Sequence, residues 1–223
     1  AIFSDEQTAI FREQDKLAFE TEATVYFEET IHTVDGATRI LKTAKRALPA
    51  PSGQALRYLL GISQDVTEER SVEARLAHLA MHDSLTGLPN RAFFSESIVR
   101  QVAAATPERP IALLYIDVDH FKHINDSKGH AAGDMLLRQV AERLQQLAEK
   151  SDLVARLGGD EFALVLRMTD QGRAQRFADL LLLSLSAPFD LDGVREHVTC
   201  SIGIAMAPEH GTDADVQIGR AHV

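Results

Sequence analysis

From residue 111 onward, the chain alternates between runs that are apolar throughout and runs that are apolar at every third or fourth position. Residues 111–117 read Ile-Ala-Leu-Leu-Tyr-Ile-Asp and predict a strand. Residues 134–150 place Leu136, Val140, Leu144 and Leu147 on one face of a helix. The stretches 153–157 and 162–166 are β-prone and flank Gly158-Gly159, the pattern of a hairpin with a tight tip. A helix over 91–105 precedes this set, and a helix over 171–185 and a strand over 198–205 complete it. The order is β-α-β-β-α-β, which predicts a ferredoxin-like, palm-type α+β core on an antiparallel sheet. In that order the end of the first strand lies close to the hairpin tip, so Asp117 is expected near Asp160.

The first third of the chain has a different texture. Ser4-Asp5-Glu6-Gln7 is a capping-box pattern for a short helix. Strands are expected over 24–33, 38–48 and 57–64, separated by turn signals at Asp35-Gly36 and at Pro49, Pro51, Ser52 and Gly53. Thr67 is placed to cap a further helix, in which Val72, Leu76 and Leu79 form one narrow apolar stripe. Such a stripe fits two copies packing side by side, or one helix packing on its own domain. Gly87 and Pro89 then enforce a bend. The expected divisions are an N-terminal domain over 1–67, a connecting helix over 68–82 and a second domain over 83–223.

Composition narrows the function classes. The 223 residues are 45% hydrophobic and 25% charged, as in an ordinary globular protein. A net charge of −10 argues against a nucleic-acid backbone or an anionic membrane as the main partner. A nucleotide remains compatible, because it arrives with its own divalent cations. Cys200 is the sole cysteine, so it reads as a core thiol rather than part of a disulfide or metal site. No run of about 18 apolar residues occurs. The expected location is cytoplasmic, with any membrane anchor lying elsewhere in a longer protein.

The candidate chemistry sits at the predicted strand ends. Asp160 and Glu161 follow the two glycines at the hairpin tip, and Asp117 and Asp119 end the first strand. Three or four carboxylates pointing into one space repel one another unless a cation neutralises them. Their hard oxygens favour Mg²⁺ or Mn²⁺ over zinc. His120, His123 and His130 match no zinc spacing and are taken as surface residues. The stretch 119–130 is polar and reads as an irregular turn whose backbone N–H groups could cradle phosphate oxygens. Lys122 adds a positive charge there, and Asn125 an amide able to read a base edge. Asp134 is expected to open the next helix, either as its N-cap or as an acceptor for guanine amino groups.

Taken together, 83–91 (Asp-Ser-Leu-Thr-Gly-Leu-Pro-Asn-Arg), 116–134 and 156–162 resemble the GGDEF family of diguanylate cyclases. Residues 22–69 resemble the C-terminal half of a PAS sensor domain, on Asp35-Gly36, 42–46, Gly61-Ile62-Ser63 and 65–68. The GGDEF resemblance implies a cyclase joining two GTP molecules into cyclic di-GMP, with release of two pyrophosphates, between two domains that face each other as a homodimer. It implies two Mg²⁺ (or Mn²⁺) ions per site, held by Asp117, the Val118 carbonyl, Asp160 and Glu161. Asp160 would activate the ribose 3′-hydroxyl, and Glu161 would support the second metal. His120, Phe121 and Lys122 would hold the triphosphate, and Asn125 and Asp134 the guanine. Two departures stand out. Glu149 occupies the arginine position of the family's Arg-x-x-Asp feedback site, ahead of Asp152. The family's basic helix, with its Tyr-x-Ala-Lys element, is not found before Arg220-Ala221-His222-Val223, so weaker GTP binding is expected. The alternative implied function is a non-catalytic GTP-binding module regulating a neighbour, such as a downstream EAL-type phosphodiesterase domain. A scaffold without a nucleotide role is disfavoured by the intact carboxylates. The PAS-like part implies an unspecified sensor ligand.

Overall fold

The computed structural model describes residues 5–21, 23–33, 36–49 and 57–209. Ser4, Asp35, the loop signals at Pro51, Ser52 and Gly53, and residues 220–223 lie outside the described residues. Contacts divide the chain into two units, Ala1–Ala77 and His78–Val223.

In the first unit, β1 (Val25–His32), β2 (Thr38–Pro49) and β3 (Arg57–Asp65) form an antiparallel sheet in the order β1-β2-β3. Helix α1 (Asp5–Glu20) runs for 16 residues, longer than the short helix expected. The capping pattern marks a start but not a length, and the length comes from tertiary contact with the sheet. Lys45 of β2 is buried, with Nζ 2.6 Å from Asp15 Oδ1 of α1 and 5.7 and 5.9 Å from the ring centres of Phe11 and Phe27. The carboxylate and the ring faces together offset the cost of burying the ammonium. Beside it, Gln14 Nε2 donates to Glu29 at 2.9 Å, and Thr43 donates to the same carboxylate at 3.1 Å.

Helix α2 (Thr67–Met81) follows directly. Its start is bonded by Asp65 rather than by Thr67, whose hydroxyl is occupied by the Ile40 amide at 2.8 Å. Asp65 Oδ1 accepts from the Thr67 amide at 3.0 Å and from its hydroxyl at 2.5 Å. The Thr67 side chain, then Arg39, hold the exposed Asp65 carboxyl down to about 2. No residue of α2 is buried, and Val72, Leu76 and Leu79 are 50%, 61% and 47% exposed. The stripe is thus uncovered among the described residues. No helix there is long and apolar enough to cross a membrane.

The second unit contains α3 (Arg91–Ala104), β4 (Ile111–Val118), α4 (Phe121–Lys128), α5 (His130–Leu147), β5 (Leu153–Gly158), β6 (Glu161–Arg167), α6 (Gln171–Leu185), β7 (Phe189–Leu191), β8 (Val194–Glu196) and β9 (Cys200–Ala207). Its main sheet has the order β5-β6-β4-β9 with every neighbour antiparallel, the ferredoxin-like arrangement expected. Both faces are covered, which explains why β4 is apolar throughout rather than alternating. Ala112, Leu114, Ile116 and Val118 pack with α5 and α6 through Leu136, Val140, Leu144 and Leu181. Ile111, Leu113 and Tyr115 face α3 through Phe94, Ile98 and Val102.

Three parts of this unit differ from expectation. Residues 121–128 form helix α4 instead of an irregular turn. Phe121 and Ile124 lie one turn apart and pack into the core, while polar residues between them disguise the stripe. Gly129, at φ 85°, ends α4, and α5 restarts at His130, a full turn before Asp134. Asp134 is therefore not an N-cap. Finally, β7 and β8 form a small hairpin around Asp192 (φ 58°) and Gly193 (φ 82°), a two-residue turn that an Asp-Gly pair favours.

Candidate active site

Alternation along β4 and β6 carries the α3-facing positions past their last apolar residues to Asp117 and Glu161. These two stand directly opposite each other in the ladder. Facing side chains in an antiparallel pair sit about 4.5–5.5 Å apart at Cβ, so two like charges here are unfavourable without a counter-charge. Asp160 is half-buried in the adjoining turn, and its carbonyl accepts from the Val118 amide at 3.3 Å. The turn depends on Gly158 at φ 140° and Gly159 at φ 53°, backbone that residues with a Cβ rarely adopt.

The expected gathering of three or four carboxylates into one space is not formed: Asp117 and Glu161 face each other, and Asp160 lies apart in the adjoining turn. Asp119 is turned toward β9, where the hydroxyls of Thr199 and Ser201 donate to it at 2.6 and 2.7 Å. Among the described residues, no three His, Cys, Asp or Glu side chains are gathered to hold a metal ion. Cys200 is a buried thiol; burial, then Asp119 and Asp117, pushes it up to about 12.

The loop after β4 supplies the remaining candidates. His120 is exposed and left-handed at φ 57°, and α4 begins after it without a side-chain cap. Phe121 is partly buried against the core, and Lys122, His123 and His130 are exposed. Asn125 reaches across to α5. A Cβ at Gly133 would meet Asn125 Oδ1 at 2.0 Å and Phe121 Cζ at 3.1 Å, so the close approach requires glycine. This contact sets Asn125 against α5 at the residue before the half-buried Asp134.

Two arginines that local pattern does not single out bind the hairpin. Arg156 Nη1 donates to Asp83 Oδ1 at 2.9 Å, while its Nε and Nη2 donate to the Gly159 carbonyl at 3.1 and 2.7 Å. Burial alone would raise the Asp83 carboxyl, but donation from Thr86 and Arg156 outweighs it and holds the group below its ordinary value. Arg91 Nε donates to the Leu157 carbonyl at 2.9 Å, and Nη2 to Glu161 Oε2 at 2.8 Å. At the other end of the β5–β6 pair from the tip, Asp152 accepts from the Glu149 and Arg167 amides at 2.9 and 3.3 Å.

Residues 80–223 match the family described as "Diguanylate cyclase, GGDEF domain". The chain belongs to the GGDEF family. Residues 1–71 match the PAS fold, so a PAS-type region precedes the GGDEF domain. Diguanylate cyclase TpbB from Pseudomonas aeruginosa is 51% identical over 140 residues, covering 61% of this chain and 32% of that protein. Cyclic di-GMP phosphodiesterase PdeR from Escherichia coli is 34% identical over 218 residues, 98% of this chain and 33% of that protein. The chain thus spans about a third of the length of these curated relatives. A solved structure of the TpbB GGDEF domain aligns with a TM-score of 0.61 and 45% identity, covering 63% of this chain and 84% of that one. Relatives of this GGDEF domain therefore include proteins named for making and for breaking cyclic di-GMP.

Proposed function

We propose that the GGDEF domain of this chain is a diguanylate cyclase, condensing two GTP molecules into cyclic di-GMP and two pyrophosphates where two copies face each other. The observation that carries this reading is Asp117 opposite Glu161, with Asp160 at the adjoining tip. Two hard carboxylates fit Mg²⁺ or Mn²⁺, which is commonly held by one or two carboxylates plus substrate phosphates rather than by an all-protein cage. That accounts for a pair instead of a cluster. Asp117, Glu161, Asp160 and the Val118 carbonyl would hold the ions. Bound there, they would neutralise charge on the attacking and leaving oxygens.

The chain's own residues would do the rest. Asp160 takes the proton from the 3′-hydroxyl of one GTP as that oxygen bonds the α-phosphorus of the other. The bond to pyrophosphate breaks, and the step repeats with the roles exchanged. The backbone at His120 and Phe121, with Lys122, orients the triphosphate, and Asn125 and Asp134 take the guanine edge. Positioning and charge neutralisation supply most of the acceleration. The uncovered α2 stripe supports pairing of two copies, with residues 1–67 as sensor, 68–82 as connector and 83–223 as cyclase.

A second reading is a GTP-binding module that regulates a neighbouring phosphodiesterase domain. The likeness to PdeR across 98% of the chain favours it. Incubation with GTP and Mg²⁺ separates the two. Cyclic di-GMP that disappears in Asp160→Ala supports catalysis, and GTP binding without product supports the regulatory module.

Feedback through the Asp152 region is not expected. Glu149 brings a negative charge where a phosphate would need a positive one, and Asp152 is already bonded to two backbone amides. Calorimetric titration should detect no tight cyclic di-GMP binding in the wild type, and binding should appear in Glu149→Arg. Tight wild-type binding that is lost in Asp152→Ala would contradict this.

A further inference from the structure

Arg91 is the first residue of α3, distant in sequence from the hairpin, yet it holds both of the hairpin's strands. Its Nε donates to the Leu157 carbonyl of β5, and its Nη2 to Glu161 Oε2 of β6. The guanidinium is 59% exposed and the Glu161 side chain 25% exposed. Glu161 has a second partner in the hydroxyl of Tyr115, a buried residue two positions before Asp117 on the same sheet face.

We propose that Arg91 is the resident counter-charge of Glu161, neutralising the facing Asp117–Glu161 pair when no cation is bound and resisting the cation that replaces it. This rests on the reading of Glu161 as a metal ligand. An exposed side chain can swing away once its charge is replaced, whereas the buried Tyr115 keeps the carboxylate in place. The guanidinium has two opposing effects on cation uptake. Its charge repels a divalent ion sharing the same carboxylate, worth about tenfold in affinity even with strong screening. Its bond restrains the Glu161 side chain, worth about threefold. Repulsion wins, and more so because Tyr115 already supplies restraint. Arg91 is thus a positioning residue whose removal loosens the metal-free hairpin and tightens the ion.

The test measures Mn²⁺ binding to the nucleotide-free chain by water-proton relaxation, with thermal unfolding followed in parallel. Arg91→Gln is expected to bind Mn²⁺ at least about threefold more tightly than wild type. It should melt lower without metal and recover part of that loss in saturating Mn²⁺. Arg91→Lys keeps the charge and should bind within about twofold of wild type. Arg91→Met replaces Gln if that variant does not fold. Unchanged or weaker Mn²⁺ binding in the neutral variants, alongside weakened binding in Glu161→Gln, overturns the proposal alone. Unchanged binding in Glu161→Gln overturns the assignment of Glu161 as a ligand, and the proposal with it.

Discussion

Asp117→Ala is expected to lower cyclic di-GMP formation by about 10³-fold while leaving the fold in place. Asp117 is the last half-buried position on the α3 face of β4, and it lies beyond the apolar residues that hold the strand. Removing it takes a charge away from the position directly opposite Glu161 in the ladder, so the loss is expected in turnover far more than in stability. A large loss of turnover combined with an unchanged or slightly raised melting temperature is the signature of a residue retained for chemistry. Product measured by mass, together with thermal unfolding of the same preparation, checks both halves. Parallel losses of turnover and stability would instead make Asp117 a structural residue.

The largest stability effect outside the apolar core is expected at Arg156. Its side chain is 11% exposed, and its partner Asp83 is 22% exposed. The same guanidinium bonds the Gly159 carbonyl twice, and the Arg156 amide donates to Pro89 at 2.9 Å. Arg156→Ala leaves Asp83 with its Thr86 bonds but without a counter-charge, and leaves the Gly159 carbonyl without these donors. Removing one partner of such a mostly buried pair costs about 2–3 kcal/mol. Denaturant unfolding of the GGDEF domain should show a lower midpoint at unchanged slope. The pair also sets an acid dependence. The Asp83 carboxyl lies below its ordinary value in the folded state. Its contribution is therefore present above the unfolded carboxyl value and is lost as the pH falls through the folded one. Wild type should lose stability more steeply below about pH 4 than Asp83→Asn, which has nothing left to titrate. Equal acid slopes would remove Asp83 from this account.

Much of this architecture is legible in the sequence because it follows from periodicity. The continuous run of β4, the glycine pair between β5 and β6, and the four-residue spacing of Leu136, Val140 and Leu144 each have one good structural solution. From the resulting topology, the nearness of Asp117 to the hairpin tip follows without coordinates. Helix α4 is less legible, because eight residues with two apolar contacts leave only a faint stripe. The β7–β8 hairpin carried its signal in Asp192-Gly193, but strands of three residues offer no alternation to confirm it.

The contacts that decide the site's electrostatics have no local signal at all. Arg91 with Glu161 and Arg156 with Asp83 are pairings between distant segments, visible only once the sheet and α3 are assembled. The same holds for Asp119. As part of an Asp-Val-Asp triplet it looks equivalent to Asp117, but Thr199, just before β9, and Ser201 on β9 claim it. Gly133 shows the converse. It sits unremarked inside a helix, where glycine costs stability. Its reason is the approach of Asn125, whose amide is a candidate for the guanine edge.

The central claim is that two copies of this chain, each holding one GTP, join their substrates. The most direct test is the initial rate of cyclic di-GMP formation at saturating GTP and Mg²⁺, measured across a dilution series of the protein. The rate per chain should rise with protein concentration and level off as pairs form, and pyrophosphate should appear at two per product. A rate per chain that stays constant while the protein remains monomeric, or GTP binding with no product at any concentration, would contradict it.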